Sequence, residues 1–179
     1  MTRFIHTILL AFIGAVIVHI CVLFLIPSWA QNNIWTSLKK SGVPYQFVDF
    51  TPDNPIQEFS DPLLLLKVCR FNLENGPVHL KALKTRLFWS LAVYTHNGII
   101  FYSLNDRTAP DATLDLIIGK PIQIIELKKS NPKKNTNSVL VAKKLNEGFV
   151  ILRIFAPSSL AKKESKAFLS SATCRIFYE

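Results

Sequence analysis

The chain has 179 residues, 49% of them hydrophobic and 18% charged, with 21 Lys+Arg against 12 Asp+Glu for a formal charge of +9. That length holds one domain of ordinary size. The composition is too apolar for a disordered chain and too polar for a multi-span membrane protein, and six glycines and three cysteines exclude collagen-like and disulfide-dense small folds.

The first element is an apolar helix. Residues 4–26 carry no formal charge, and Arg3 is the only charged side chain before Lys39. As a helix this run would be about 34 Å long, enough to cross a ~30 Å hydrocarbon core with some tilt. Apolar on every side, it has no polar face to offer water, which favours a single membrane span over a core helix. Pro27 is expected to stop it, and Trp29 and Trp35 follow where interfacial aromatics belong. Ser28-Trp29-Ala30 is a small-x-small triplet, so a cleaved signal peptide is the alternative. The run outlasts the ~7–15 apolar residues usual for a signal, and that favours an uncleaved anchor. Arg3 at the leading end gives a weak preference for a cytoplasmic N-terminus and an exported remainder.

The chain thus divides into three regions: an anchor over residues 1–30, a linker over 31–60 and a β-rich domain over 61–179. The linker is marked by Asn32-Asn33, Ser41-Gly42, Pro44, Pro52 and Pro55. In the domain, residues 63–71 suit a helix or a strand, and periodicity does not choose. Val78, Leu80 and Ala82 alternate with His79 and Lys81, as in a strand with one wet face. Residues 88–94 and 99–104 are apolar on both faces and flank Thr95-His96-Asn97-Gly98; Asn-Gly predicts a tight hairpin, central in its sheet. Residues 114–118, 122–128 and 138–142 read as further strands, and 149–155 as a strand pairing with the one before it. Gly76, Gly98, Gly119 and Gly148 punctuate these runs as turns. Residues 160–172 favour helix, with Ser158-Ser159 as its cap and Leu160, Ala161, Phe168, Leu169 and Ala172 as an apolar stripe. The expected fold class is mainly β (α+β): a transmembrane helix, then a β-sandwich or open barrel with a C-terminal helix packed on it.

Motifs for familiar chemistry are missing. There is no G-x-G-x-x-G, no G-x-x-x-x-G-K-[ST], no G-x-S-x-G and no H-E-x-x-H. Cys and His outside the apolar run have no paired ligand spacing, so no metal and no cofactor is expected. His79 and His96 read as solvated surface residues. Basic residues are the stronger signal: Lys128, Lys129, Lys133, Lys134, Lys143 and Lys144 occur with no acid between them, and Lys162, Lys163 and Lys166 form a second group. A solvated surface explains such runs in many proteins. The sharper reading gives Lys128, Lys129, Lys133 and Lys134 to anionic lipid headgroups beside the anchor. Nucleic acid is disfavoured, because aromatics are not interleaved with the lysines. Tyr102, Asn105, Asp106 and Arg107 make a polar strand-end loop that could bind a ligand, the plainer account being an Asx-type turn with a local ion pair. Cys69 and Cys174 are either a bridge closing a loop of about 105 residues or two separate buried thiols.

Cys69-Arg70-Phe71, Gly76-Pro77, Phe88-Trp89-Ser90, Tyr94, Gly98, the string Tyr102-Ser103-Leu104-Asn105-Asp106-Arg107 and the closing Cys174 resemble a family of small anchored envelope proteins of alphaproteobacteria, a domain of unknown function of the 1254 type. The resemblance covers residues 61–174 and leaves out the Lys-rich stretch around Lys133. It implies a bacterial inner-membrane location, a β-rich periplasmic domain and a bridge between Cys69 and Cys174, and it implies no reaction. The expected function is therefore a non-enzymatic, membrane-anchored binding or structural module, with anionic headgroups or another envelope protein as partner. The alternative is an enzyme or enzyme subunit acting on an envelope substrate through the loop from Tyr102 to Arg107.

Overall fold

The computed structural model describes residues 2–41, 43–49, 61, 63–130 and 138–177. It opens on α1 (Thr2–Ser41), whose stretch Thr2–Ile26 is long and apolar enough to cross a membrane and is exposed along its whole length. The helix does not stop at Pro27. It runs on to Ser41, so the first part of the expected linker is helical. A proline inside a helix removes one backbone hydrogen bond, and packing of a distant part of the helix can outweigh that loss. Here Leu38 is buried against the following domain.

That domain is a sandwich of two sheets. The five-stranded sheet has the order β1 (Val48–Asp49), β2 (Leu64–Asn72), β8 (Glu147–Phe155), β4 (Trp89–Thr95) and β5 (Ile100–Asn105), all antiparallel. The four-stranded sheet has the order β7 (Val139–Ala142), β6 (Leu114–Gly119), β3 (Val78–Ala82) and β9 (Thr173–Ile176). Successive side chains of a strand point to opposite faces, and the core is built from one parity. Cys69 and Phe71, Trp89, Leu91 and Val93, and Val150, Leu152 and Ile154 face inward from the first sheet. Val78 and Leu80, Leu114, Leu116 and Ile118, and Cys174 meet them from the second. The expected sandwich with a C-terminal helix is present: α3 (Ser159–Ser171) is capped by Ser158 Oγ, which accepts from Ala161 N at 3.2 Å, and it drives Phe168 and Leu169 into the same core. Phe168 stacks on Trp89 at 6.1 Å between centroids.

Several local expectations change. Residues 63–71 settle as strand. Residues 122–128 are not a strand but lie in the helix α2 (Pro121–Ser130). The reason is topological: β6 and β7 pair in parallel, and a parallel pair requires a crossover, here containing α2. Ile124 and Leu127, three apart, bury against Ile117 on the outer face of the second sheet. The strand at 149–155 does not pair with its predecessor; β8 lies between β2 and β4. The predicted hairpin forms, with Gly98 at φ 77°, but only β4 is interior while β5 is the sheet edge. Gly148 is not a turn residue. It sits inside β8, where an added Cβ would meet Tyr94 O at 2.6 Å and Phe71 Cζ at 2.7 Å. The short strands β1 and β9 add to both sheets beyond the predicted set.

Cys69 on β2 and Cys174 on β9 are joined by a disulfide, with Cα atoms 6.6 Å apart and 105 positions between them in sequence. The bond ties the two sheets together through the core. In the chain-entropy account, closing so long a loop is worth about 4–5 kcal/mol. Replacing both cysteines by alanine should lower the unfolding free energy of the detergent-solubilised chain by roughly 3–5 kcal/mol. Urea denaturation followed by Trp fluorescence checks this; a midpoint unchanged from the parent would show that the bridge does not hold the sandwich.

Candidate functional site at the turn between β4 and β5

An antiparallel sheet with a solvated outer face should alternate polar residues outward. The outer face of the five-stranded sheet instead presents Leu66, Val68, Tyr94, Phe149 and Ile151, with Tyr94 stacked on Phe149 at 4.8 Å. The end of α1 covers it. Leu38 is 3% exposed in a cluster with Val68 and Phe149. Trp35, one turn earlier, lies 6.2 Å from Phe149 and edge-on to His96 at 6.3 Å. Lys39 Nζ and Arg70 Cζ stand 5.5 and 5.9 Å from the same indole, a pair of cation–π contacts. Trp35 is thus a packing residue of the domain and not only a candidate interfacial aromatic.

These contacts give the domain a direction. Trp35 touches His96 in the turn, whereas Leu38 packs deeper along the sheet, so α1 enters at the end of the sandwich that carries the turn between β4 and β5. At that end lies a groove of about 940 Å³, between the turn (Thr95, His96, Asn97, Ile99), the start of α2 (Lys120, Pro121, Ile122) and the strand-entry loop (Lys144, Leu145, Asn146, Glu147). Ile99 and Ile122, which line it, are each 60% exposed. Glu147 is the one carboxylate in the lining, and neither Lys120 nor Lys144 forms an ion pair among the described residues. His96 is exposed in its turn, as the sequence predicts.

The residues singled out in sequence scatter. Asn105 makes the turn: its Oδ1 accepts from Arg107 N at 3.0 Å and Thr108 N at 2.9 Å. This is the Asx-type arrangement, without an ion pair between Asp106 and Arg107 among the described residues. Arg107 is exposed, while Asp106 Oδ1 is buried with no hydrogen-bond partner there. Tyr102 packs against the core, and burial raises its hydroxyl above the ordinary tyrosine value. None of these four side chains lines the groove at the turn between β4 and β5. Lys128 and Lys129 are exposed in the last turn of α2, about 12 Å along the helix from the groove at its start. Lys133 and Lys134 lie outside the described residues. Sequence reading missed that Lys120 and Lys144 line one groove, because the parallel register of Gly119 with Ala142 brings the residues after β6 and after β7 together.

A second polar group stands on the outer face of the other sheet. Asp115 accepts from Ser138 Oγ at 2.8 Å, lies 2.8 Å from His79 Nε2 and forms an ion pair with Lys81 at 3.2 Å. His79 is therefore not merely solvated; it also meets Phe177 edge-on at 5.4 Å. Burial, with the nearby charge of Lys81, lowers its pKa by more than Asp115 raises it, so the imidazole is mostly neutral at pH 7 and donates to the carboxylate through Nε2–H. Burial raises Asp115, but hydrogen bonds from His79, Ser138 and Lys81 outweigh it and hold the carboxylate below its usual range. Nucleophile activation needs a base next to the hydroxyl, with the acid behind the base. Here the acid sits between Ser138 and His79, so the group is a satisfied hydrogen-bond cluster. Among the described residues, no group of three or more His, Cys, Asp and Glu is placed to hold a metal ion.

No protein-family model matches the sequence, and no curated protein matches it. The fold is similar to that of the VPA0106 protein from Vibrio parahaemolyticus, at a TM-score of 0.58 and 11% identity, over 79% of this chain and 32% of that one. An uncharacterised protein from Burkholderia cenocepacia aligns at a TM-score of 0.46 and 10% identity, over 73% of this chain and 33% of that one. The chain spans about a third of the length of these structures, and the first likeness is one of fold alone.

The His79 and Asp115 cluster makes stability depend on pH. With the folded pKa of His79 below 6.5, the unfolded chain binds the proton more readily, so stability is complete above about pH 6.5 and falls on acidification. Asp115, also lowered, adds a further loss as pH drops below the carboxylate range. His79→Gln should abolish the first phase and keep the second. Thermal midpoints measured from pH 8 to pH 3 check this; an unchanged first phase would assign it to another group.

Proposed function

We propose that the chain is a single-span membrane protein of the bacterial inner membrane, whose periplasmic sandwich is held against the bilayer as a non-enzymatic binding module. The observation that carries this reading is the continuity of α1: one helix leads from the apolar stretch Thr2–Ile26 into the sheet face at Trp35 and Leu38. Such a helix sets the distance and the angle of the domain, which a flexible linker would not. The disulfide between Cys69 and Cys174 supports an oxidising compartment, and the charge of Arg3 ahead of the span supports export of the domain beyond it. The likeness of the Cys-Arg-Phe and Tyr-Ser-Leu-Asn-Asp-Arg strings to the 1254-type envelope family points the same way. The arrangement of Ser138, Asp115 and His79 argues against hydroxyl activation there, and in the loop from Tyr102 to Arg107 the side chain of Asn105 is taken up by the turn. Binding is left as the reading that the geometry serves best.

The test is fractionation of the full chain from bacterial cells. The protein should stay with the membranes after alkaline carbonate, carry an oxidised Cys69–Cys174 pair on non-reducing gels and become protease-sensitive once the outer membrane is opened. Release by carbonate, or free thiols at both positions, would overturn the assignment. Leu38→Ala should also weaken docking of the helix by about 2–3 kcal/mol, as for other buried leucines, and speed proteolysis within residues 27–41 several-fold. Equal cleavage rates would show that the helix is not fixed to the sheet.

A further inference from the structure

We infer that the groove between the turn of β4–β5 and the start of α2 is a docking site for an anionic phospholipid of the bilayer that holds α1. The inference rests on the anchored reading above and adds an occupant and the residues that take it. Two independent features point to that occupant. Position is the first: Trp35 lies nine residues beyond Ile26, about 14 Å along the helix, and it touches His96 at the rim of the groove. The headgroup layer is itself about 5–8 Å deep, and tilting the ~38 Å apolar stretch to fit a ~30 Å core lowers Trp35 to about 11 Å, so a lipid reaches the groove by rising a few ångströms out of the layer. Because α1 enters at the turn end, this end of the sandwich is the one turned to the bilayer.

Chemistry is the second feature. The lining is mainly apolar, through Ile99, Pro121, Ile122 and Leu145, and Lys120 and Lys144 stand on it without an ion-pair partner among the described residues. Apolar surface beside lysines matches a lipid with its glycerol and first acyl carbons against the isoleucines and its phosphate between the ammonium groups. A zwitterionic lipid carries the same phosphate but sets its own ammonium beside the lysines, which an anionic lipid does not. Glu147, the one carboxylate in the lining, is close enough to Arg70 to act on it electrostatically. Lys128 and Lys129, farther along α2, are exposed to the same field without lining the groove.

The experiment uses the full chain, purified in a neutral maltoside detergent and titrated with short-chain phosphatidylglycerol, phosphatidylcholine or glycerol phosphate, with bound lipid counted by native mass spectrometry. Phosphatidylglycerol should bind more tightly than phosphatidylcholine, and Lys120→Gln and Lys144→Gln should each reduce its affinity about five-fold. Lys163→Gln on α3 should change nothing. Equal affinity for the two lipids, or full affinity in both groove variants, would overturn the site. Glycerol phosphate binding as tightly as phosphatidylglycerol would make the occupant a soluble phosphate and would also overturn it. Carbonate extraction of the same chain separates the levels: release from membranes removes the anchored reading and this one together, whereas retention with unselective lipid binding removes this one alone.

Discussion

The outer face of the five-stranded sheet is apolar where water would favour polar residues, and the end of α1 is what covers it. Among the described residues, Val68, Phe149 and their neighbours have no other cover, and Leu38 and Trp35 have no other place to bury. The two halves of the chain thereby stabilise each other. Without the sheet, the helix beyond Pro27 would be a short, polar-flanked segment close to the marginal length for isolated helices. Without the helix, the sheet would expose a stacked Tyr94–Phe149 pair and the aliphatic side chains around it. Everything proposed about orientation depends on this one packed surface.

The inner core depends on a different constraint, the tie between sheets. Each sheet hides one parity of its strands, and the disulfide of Cys69 and Cys174 crosses the interface where β2 faces β9. Strand β9 is only four residues long and lies at the end of the described chain. A strand that short contributes few ladder hydrogen bonds, so a covalent tie at its second residue does much to hold it. The same bond fixes the end of α3, which runs into β9 through Ala172.

How much of this was legible in the sequence varies with the range of the interaction involved. The alternation of Val78, Leu80 and Ala82, the Asn97-Gly98 turn and the Ser158 cap are local, and each produced the expected element. Ile122 to Lys128 failed as a strand because apolar spacing in so short a run fits two periods. Its local clue was Pro121 at the first helical position, with Gln123 Oε1 accepting from Lys120 N at 2.7 Å. The partners of β8 lie far away in sequence, and nothing near residues 149–155 encodes them. Pro27 misled because a local helix breaker was overruled by contacts made elsewhere on the helix. At the candidate site, the loop of Tyr102 to Arg107 stood out by polarity, yet Asn105 spends that polarity on its own turn. The groove went unread because its lysines stand at Lys120 and Lys144, on either side of a crossover whose return is visible only in three dimensions.

The exposed isoleucines give the two levels a common meaning. Ile99 and Ile122 are each 60% exposed and line the same groove. Scattered singly, such residues would need no account; gathered beside lysines without ion-pair partners among the described residues, they form the kind of mixed surface that soluble domains avoid and interfaces use. β5 is also an edge strand, and an apolar edge in open water invites pairing with another chain. Helix α1 changes that balance. By packing at Trp35 it holds the turn end of the sandwich at a set distance from its own apolar stretch, and in the anchored reading proposed above the neighbouring medium there is headgroups rather than free water. In that proposed setting, a surface that would be a liability on a freely diffusing domain is consistent with one held at a bilayer.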